Sequence, residues 1–191
     1  MSIVKPVVEL AHEYLARVVR PGDVVIDATA GNGWDTLKLA SLVGPGGKVW
    51  AFDIQPAALA ATKDRLAQAD LLDRVTLIAD NHCNLNKYVT SGVRAVVFNL
   101  GYLPGSSHEI ATNPVDTVCG VEQSLSLLVD GGIVLITVYW GHTQGVAEKE
   151  ALGEFLHRPA LKSWQALCLS IPNREKSPFI ILLEKKEEEK E

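Results

Sequence analysis

The chain has 191 residues, of which 47% are hydrophobic and 21% are charged, and its formal net charge is −5. These values predict a globular protein with a sizeable core, and they disfavour a disordered chain or a broad nucleic-acid-binding groove. No apolar run is long enough to cross a bilayer, and charged residues recur through the first 20 positions, unlike in a signal peptide.

The cysteines and histidines predict a cytoplasmic protein without a metal site. Cys83, Cys119 and Cys168 are scattered and odd in number, so we expect reduced, mostly buried thiols. No pair of cysteines has metal-ligand spacing, and the five histidines lack the helical pair spacing that typically binds zinc.

Helical and strand-like patterns alternate along the chain. An amphipathic helix is expected over 4–19 and ends at Pro21-Gly22. The segments expected after it are strand 24–27, helix 34–43, strand 48–53, helix 56–69, strand 75–79, short helix 85–90, strand 93–98, helix 114–129, strand 133–138 and helix 145–156. Two late strands, 164–171 and 179–183, have no helix between them and should pair antiparallel.

This order predicts an α/β protein with a mostly parallel seven-stranded sheet, an antiparallel C-terminal strand pair and helices on both faces. Such a closing pair is typical of the Rossmann-like class I methyltransferase fold. We expect a single domain over 1–185, including the N-terminal helix, and a charged tail over 186–191. Ligands of such sheets bind beyond the carboxyl ends of the strands.

A glycine turn follows the first strand, in the run Asp27-Ala28-Thr29-Ala30-Gly31-Asn32-Gly33-Trp34-Asp35-Thr36. The strand–turn–helix layout is typical of a cofactor-binding crossover. Thr36 replaces the third glycine of a dinucleotide fingerprint, which disfavours a dehydrogenase. An acid four residues before the first glycine favours S-adenosylmethionine, because Asp27 can attract its α-ammonium group directly or through water.

The next two strands also end in acids. Asp53 lies 22 residues after Gly31, close to the spacing of about 20 residues at which an acid binds ribose hydroxyls. Asp80 can accept a hydrogen bond from an adenine amino group; the alternative is an ordinary capped turn. The residues expected to bind the cofactor are Asp27, Gly31, Asn32, Gly33, Asp35, Thr36, Asp53, Ile54, Asp80, Asn81, His82, Asn99 and Leu100.

Asn99, Tyr102 and His142 are the expected catalytic residues. In the segment Phe98-Asn99-Leu100-Gly101-Tyr102, the polar side chain would orient a target amine and the aromatic ring would stack on a base. His142 would accept the proton that the amine loses. The alternatives are a packed loop aromatic for Tyr102 and a cap on the next helix for His142. The acceptor is expected to contact Gly101, Tyr102, Tyr139, His142 and Asn173.

Three stretches of the chain resemble the small bacterial proteins known as putative rRNA methylases. These are residues 27–36, the segment Phe98-Asn99-Leu100-Gly101-Tyr102-Leu103-Pro104-Gly105, and Tyr139 with Gly141-His142. The resemblance implies methylation of the primary amine of 5-aminomethyl-(2-thio)uridine at the tRNA wobble position. The partner would then be an anticodon stem-loop. The oligomeric state stays open, with a homodimer as one alternative.

The chain departs from this family beside the expected acceptor site. Trp34 replaces a usual His, Thr143-Gln144-Gly145 replaces a Pro-Gly-Gly-like turn, and residues 173–178 match an Asn-rich, double-proline pattern only in part. These changes affect the expected substrate more than the reaction class. The alternatives are an rRNA or small-molecule methyltransferase, or a protein that binds S-adenosylmethionine without transfer. Lys162, Arg174 and Lys176 would form either a phosphate-binding rim or ordinary surface charge.

Overall fold

The computed structural model describes residues 4–101 and 112–185. Its helices are α1 (Val7–Val18), α2 (Trp34–Val43), α3 (Pro56–Gln68), α4 (Pro114–Leu127) and α5 (Thr143–Leu156). Its strands are β1 (Val24–Asp27), β2 (Lys48–Phe52), β3 (Val75–Ile78), β4 (Val93–Leu100), β5 (Leu128–Val138), β6 (Trp164–Leu169) and β7 (Phe179–Lys185). Short 3₁₀ turns cover Leu72–Arg74, His82–Lys87 and Pro159–Leu161.

The seven strands form one sheet in the order β3-β2-β1-β4-β5-β7-β6. Strands β1 to β5 run parallel, and β7 is antiparallel to both β5 and β6. The strand order reverses between β1 and β4, which opens a crevice at the carboxyl ends of these two strands. The expected class I methyltransferase fold is confirmed.

Two apolar layers cover the two faces of the sheet. On β4, Val96 and Phe98 pack with residues of α4 and α5, whereas Ala95 and Val97 pack with residues of α1 and α2. Because alternate residues of a strand face opposite sides, a strand covered on both faces must be apolar throughout. This explains the continuous hydrophobic runs of the central strands.

The boundary between α4 and β5 differs from the expectation. Asp130-Gly131-Gly132 was expected to end the helix, but α4 ends at Leu127 and β5 begins at Leu128. The register against β4 shifts after Leu128, so these residues form an irregularity within the strand. Gly131 has a φ of 67°, a conformation that glycine adopts without steric cost.

The expectation of three reduced, mostly buried thiols is wrong. Cys83 and Cys119 form a disulfide that joins the turn His82–Lys87 to α4. Cys168 is free and lies exposed on β6. No local pattern predicts this pair, because the two cysteines meet only when α4 packs on the turn that follows β3.

Over residues 4–101 and 112–185, no group of His, Cys, Asp or Glu side chains is arranged to hold a metal ion. In the same part of the chain, no helix has the length and apolar character needed to span a membrane.

Candidate active site

A cavity of about 620 Å³ lies at the carboxyl ends of the parallel strands. Its volume falls within the range of roughly 300–1,000 Å³ that is usual for small-molecule sites. The structure brings together at its wall most of the residues that the sequence predicted: Gly31, Asn32, Asp35, Asp53, Ile54, Asp80, Asn81, His82, Asn99, Leu100, Gly101, Tyr139 and His142. Asp27, Gly33, Thr36 and Asn173 do not line it.

Asp27 lies beneath the glycine turn and is fully buried. Its carboxylate accepts hydrogen bonds from the Thr36 hydroxyl at 2.5 Å and from the Thr29 amide at 3.1 Å. Burial, and then the nearby charge of Asp35, raise the pKa of Asp27 to about 7. Asp27 and Thr36 therefore support the turn from below, and the structure gives them no direct place on the cavity wall.

The glycine turn is held against α3. Gly33 has a φ of 81°, and a Cβ atom there would lie 2.8 Å from the Cα atom of Thr62. The Thr62 hydroxyl donates to the Gly31 carbonyl at 2.9 Å, and the Arg65 Nε donates to the Asn32 carbonyl at 2.6 Å. Position 33 therefore requires glycine both for its conformation and for this close approach.

Asp53 connects the end of β2 to the same turn. Its two oxygens accept from the backbone amides of Gly31 and Gln55, each at 2.9 Å. Burial raises the pKa of Asp53. Each carboxylate oxygen can accept a second hydrogen bond, so Asp53 retains the capacity to bind two ribose hydroxyls. The adjacent Ile54 side chain is 54% exposed at the cavity wall and offers an apolar surface to a ligand ring.

The end of β3 is both a capped turn and part of the cavity wall. Asp80 accepts from the Asn81 amide, the Asn84 side chain and the Tyr88 hydroxyl, at 2.7, 2.7 and 2.9 Å. These hydrogen bonds, that from Asn84 first, lower the pKa of Asp80. Asn81 accepts from the Cys83 amide at 2.8 Å and so caps the 3₁₀ turn. A capped turn is therefore compatible with a place for Asp80 at the cavity wall, and adenine binding by Asp80 stays a prediction.

His82 is buried at the cavity wall, and its Nε2 has no hydrogen-bond partner among the described residues. Burial lowers the pKa of His82, so the ring is neutral at pH 7. The ring stands edge-on to Phe98, and a Cβ atom at Gly120 would lie 2.9 Å from its Cδ2 atom. The Nε2 atom is buried from solvent, so other atoms of His82 form its part of the cavity wall.

Asn99, the second-last residue of β4, is held in a fixed orientation. Its backbone amide donates to the Thr29 hydroxyl at 2.7 Å, and its side-chain Nδ2 donates to Asp35 at 3.0 Å. The other carboxylate oxygen of Asp35 lies 2.6 Å from the Nε2 atom of His12. His12 of α1 therefore contacts a residue of the cavity wall. The predicted catalytic residue Tyr102 lies outside the described residues.

His142 caps α5. Its Nδ1 accepts from the Gly145 amide at 3.1 Å. A Cβ atom at Gly145 would lie 2.1 Å from the Tyr139 carbonyl oxygen, so this cap depends on glycine. A cap on α5 was the alternative role predicted for His142. The other role, acceptance of the amine proton, stays a prediction. Burial raises the pKa of Tyr139, which is therefore a neutral phenol.

The segment after β6 contributes different residues from the one expected. Asn173 is exposed and does not line the cavity, whereas Lys176 and Pro178 do. Of the three cations for which a phosphate-binding rim or ordinary surface charge was predicted, Lys176 lines the cavity, and Lys162 and Arg174 do not.

Two acidic residues near the site were missed. Glu148 is fully buried; its carboxylate accepts from the Thr117 hydroxyl at 2.7 Å, and burial raises its pKa. A signal was present, since Glu148 falls on the same buried helical stripe as Leu152 and Phe155. Asp116 lines the cavity and accepts from the Asn81 side chain at 2.7 Å, a contact across 35 residues that no local pattern predicts.

Comparison with known proteins identifies a family and relatives that match most of the chain. The family model described as "Putative rRNA methylase" matches residues 49–185. A protein of Arabidopsis thaliana named "tRNA (mnm(5)s(2)U34)-methyltransferase, chloroplastic" is 35% identical, over 96% of this chain and 70% of that protein.

Two solved structures agree closely with this fold. A putative rRNA-methylase from Clostridium thermocellum has a TM-score of 0.94 and 42% identity, over 97% of this chain and 100% of the other. A putative methyltransferase from Streptococcus mutans in complex with SAH has a TM-score of 0.87 and 37% identity, over 96% of this chain and 100% of the other.

Proposed function

Because the chain belongs to the family described as putative rRNA methylase, we propose that it methylates the primary amine of 5-aminomethyl-(2-thio)uridine at the tRNA wobble position. The chain is an S-adenosylmethionine-dependent methyltransferase. The Arabidopsis relative is named for the methylated product of this reaction at position 34, which supports the finer assignment.

The cavity fits S-adenosylmethionine. The Asp53 carboxylate after β2 is suited to the ribose, and the exposed Ile54 side chain is suited to the adenine. The relative from Streptococcus mutans carries SAH, which is S-adenosylmethionine without its methyl group. When bound, the cofactor supplies a methyl carbon that is made electrophilic by a sulfonium sulfur.

The fixed amide of Asn99 is the observation that carries the amine assignment. Because its Nδ2 atom is committed to Asp35, the amide oxygen is the atom of this side chain that remains for an acceptor N–H group. An amine that donates to this oxygen keeps its lone pair for the methyl carbon. The reaction forms a nitrogen–carbon bond, breaks the sulfur–carbon bond and releases one amine proton.

Several residues hold the acceptor region in place. Thr29 fixes the backbone of Asn99, and the Gly101 amide donates to the Thr112 hydroxyl at 3.1 Å. Positioning of this kind supplies much of the acceleration of a displacement that needs no strong base. The partner that we propose is the anticodon stem-loop of a tRNA, and the stacking role of Tyr102 is part of the same proposal.

Nucleoside mass spectrometry tests this function. The protein is incubated with S-adenosylmethionine and tRNA that carries 5-aminomethyl-2-thiouridine, and we expect conversion to the methylaminomethyl form. Matched reactions use tRNA without the aminomethyl group, ribosomal RNA and small primary amines. Absence of conversion while the cofactor still binds would refute the wobble-uridine assignment, and product in one of the matched reactions would identify the acceptor instead.

A further inference from the structure

Trp34 is a large aromatic side chain that remains exposed beside the cavity. It is the first residue of α2, lines the cavity and is 61% exposed. The ring is therefore available for contact with a molecule that enters the cavity.

Arg65 covers one face of this ring. Its guanidinium carbon lies 3.4 Å from the centre of the Trp34 ring, and its Nε donates to the Asn32 carbonyl at 2.6 Å. The guanidinium is therefore held in place by the glycine turn, and the indole is held by the guanidinium. Since one face is covered, the exposed area of the indole belongs to its edges and its opposite face.

The position of Trp34 relates it to the acceptor. The next residue, Asp35, accepts the hydrogen bond that orients Asn99, the residue proposed to bind the amine. Two cations are close to this site: Lys176, in the turn between β6 and β7, lines the cavity, and Arg65 of α3 stacks on Trp34 at its wall. Aromatic and guanidinium planes stack on unpaired bases, and cations beside them attract the phosphates.

We propose that Trp34, backed by Arg65, is a stacking platform for the nucleobase next to the modified nucleotide in a single-stranded RNA loop. This inference rests on the proposed function in one respect, that the acceptor is presented by an RNA loop. Arg65 then serves both to hold the indole and to place a positive charge beside the loop backbone.

Binding measurements test the platform without turnover. An anticodon stem-loop RNA carries the fluorescent base 2-aminopurine beside the wobble uridine, and SAH occupies the cofactor site. We expect Trp34→Ala to weaken RNA binding by roughly 5- to 150-fold and to abolish quenching of the 2-aminopurine. Trp34→Phe should retain most of the affinity, and Leu167→Ala, which removes exposed apolar surface on the edge strand β6, should bind as the wild type does.

The affinity for SAH, measured by calorimetry, distinguishes an RNA platform from a cofactor contact. We expect it to be unchanged in Trp34→Ala. An unchanged affinity for the stem-loop, or an equal loss of affinity for SAH, would overturn the platform. Failure of the wild type to bind the stem-loop would overturn it as well.

Turnover of the wild type is measured separately, so the two proposals can fail independently. Conversion of the uridine by both the wild type and Trp34→Ala, with equal RNA affinities, would leave the function intact and remove the platform. Tight, quenching RNA binding that Trp34→Ala abolishes, without conversion by the wild type, would support the platform and refute the wobble-uridine reaction.

Discussion

The side chain of Asn99 donates a 3.0 Å hydrogen bond to Asp35, and this contact decides which atom of the amide faces an acceptor. The same carboxylate lies 2.6 Å from His12 of the N-terminal helix. Three elements, α1, α2 and β4, therefore cooperate to orient one side chain at the end of the central strand.

We expect Asn99→Ala to lower kcat by roughly 100-fold, because the amine would lose its orienting acceptor. Affinity for S-adenosylmethionine, measured by calorimetry, should change little, since Asp53, Ile54 and His82 remain in place. A kcat equal to that of the wild type would remove Asn99 from the mechanism.

We expect His12→Ala to lower kcat by about tenfold, because Asp35 would lose a close partner and hold Asn99 less firmly. His157→Ala is the matched control, since His157 is exposed and its ring nitrogen hydrogen-bonds to the Gly153 carbonyl of the adjacent α5. The measurement is single-turnover methyl transfer at saturating RNA. Equal rates for the two variants would show that the contact of His12 has no part in positioning.

The raised pKa of Asp27 predicts a pH dependence of stability. The folded state binds a proton at Asp27 up to about pH 7, whereas the unfolded chain releases it near pH 4. The contribution is therefore full below pH 4 and is lost as the pH rises to 7, by at most about 1.4 kcal/mol per pH unit. Asp53 and Glu148, whose pKa values are also raised, act in the same direction.

Urea unfolding of the wild type and Asp27→Asn between pH 4 and 8 isolates this contribution. The slope of stability against pH should be smaller in the variant, whatever its absolute stability. Parallel curves for the two proteins would show that Asp27 titrates normally in the folded state.

The disulfide between Cys83 and Cys119 predicts that only Cys168 reacts with a thiol reagent in the folded, oxidised protein. All three cysteines should react after reduction and unfolding. The double variant Cys83→Ser/Cys119→Ser should lose about 2–4 kcal/mol of stability, with Cys168→Ser as the control. Three reactive thiols in the folded protein without reductant would contradict the pairing.

The strands and the glycine turn could be predicted because their signals are local. Asp27, Gly31 and Gly33 separate an apolar run from a helix-forming segment, and the observed β1 and α2 have the expected bounds. The start of β5 could not be predicted, because the irregularity after Leu128 depends on the pairing with β4.

The parts of the site that were missed depend on contacts between distant segments. His12 meets Asp35 across 23 residues, and Cys83 meets Cys119 across 36, so neither pair leaves a pattern in a short window. Lys176 was predicted only as part of a phosphate-binding rim or as surface charge. Sequence alone does not show which residues of the turn between β6 and β7 lie at the strand ends.

The hydrogen bonds that hold the glycine turn are made by groups of the protein itself. Asp53 binds the Gly31 amide, Thr62 binds the Gly31 carbonyl, and Arg65 binds the carbonyl of the next residue. The turn is therefore preorganised, and little conformational entropy should be lost when the cofactor enters. The rate at which S-adenosylmethionine replaces SAH should accordingly be limited by dissociation of SAH, rather than by rearrangement of the glycine turn.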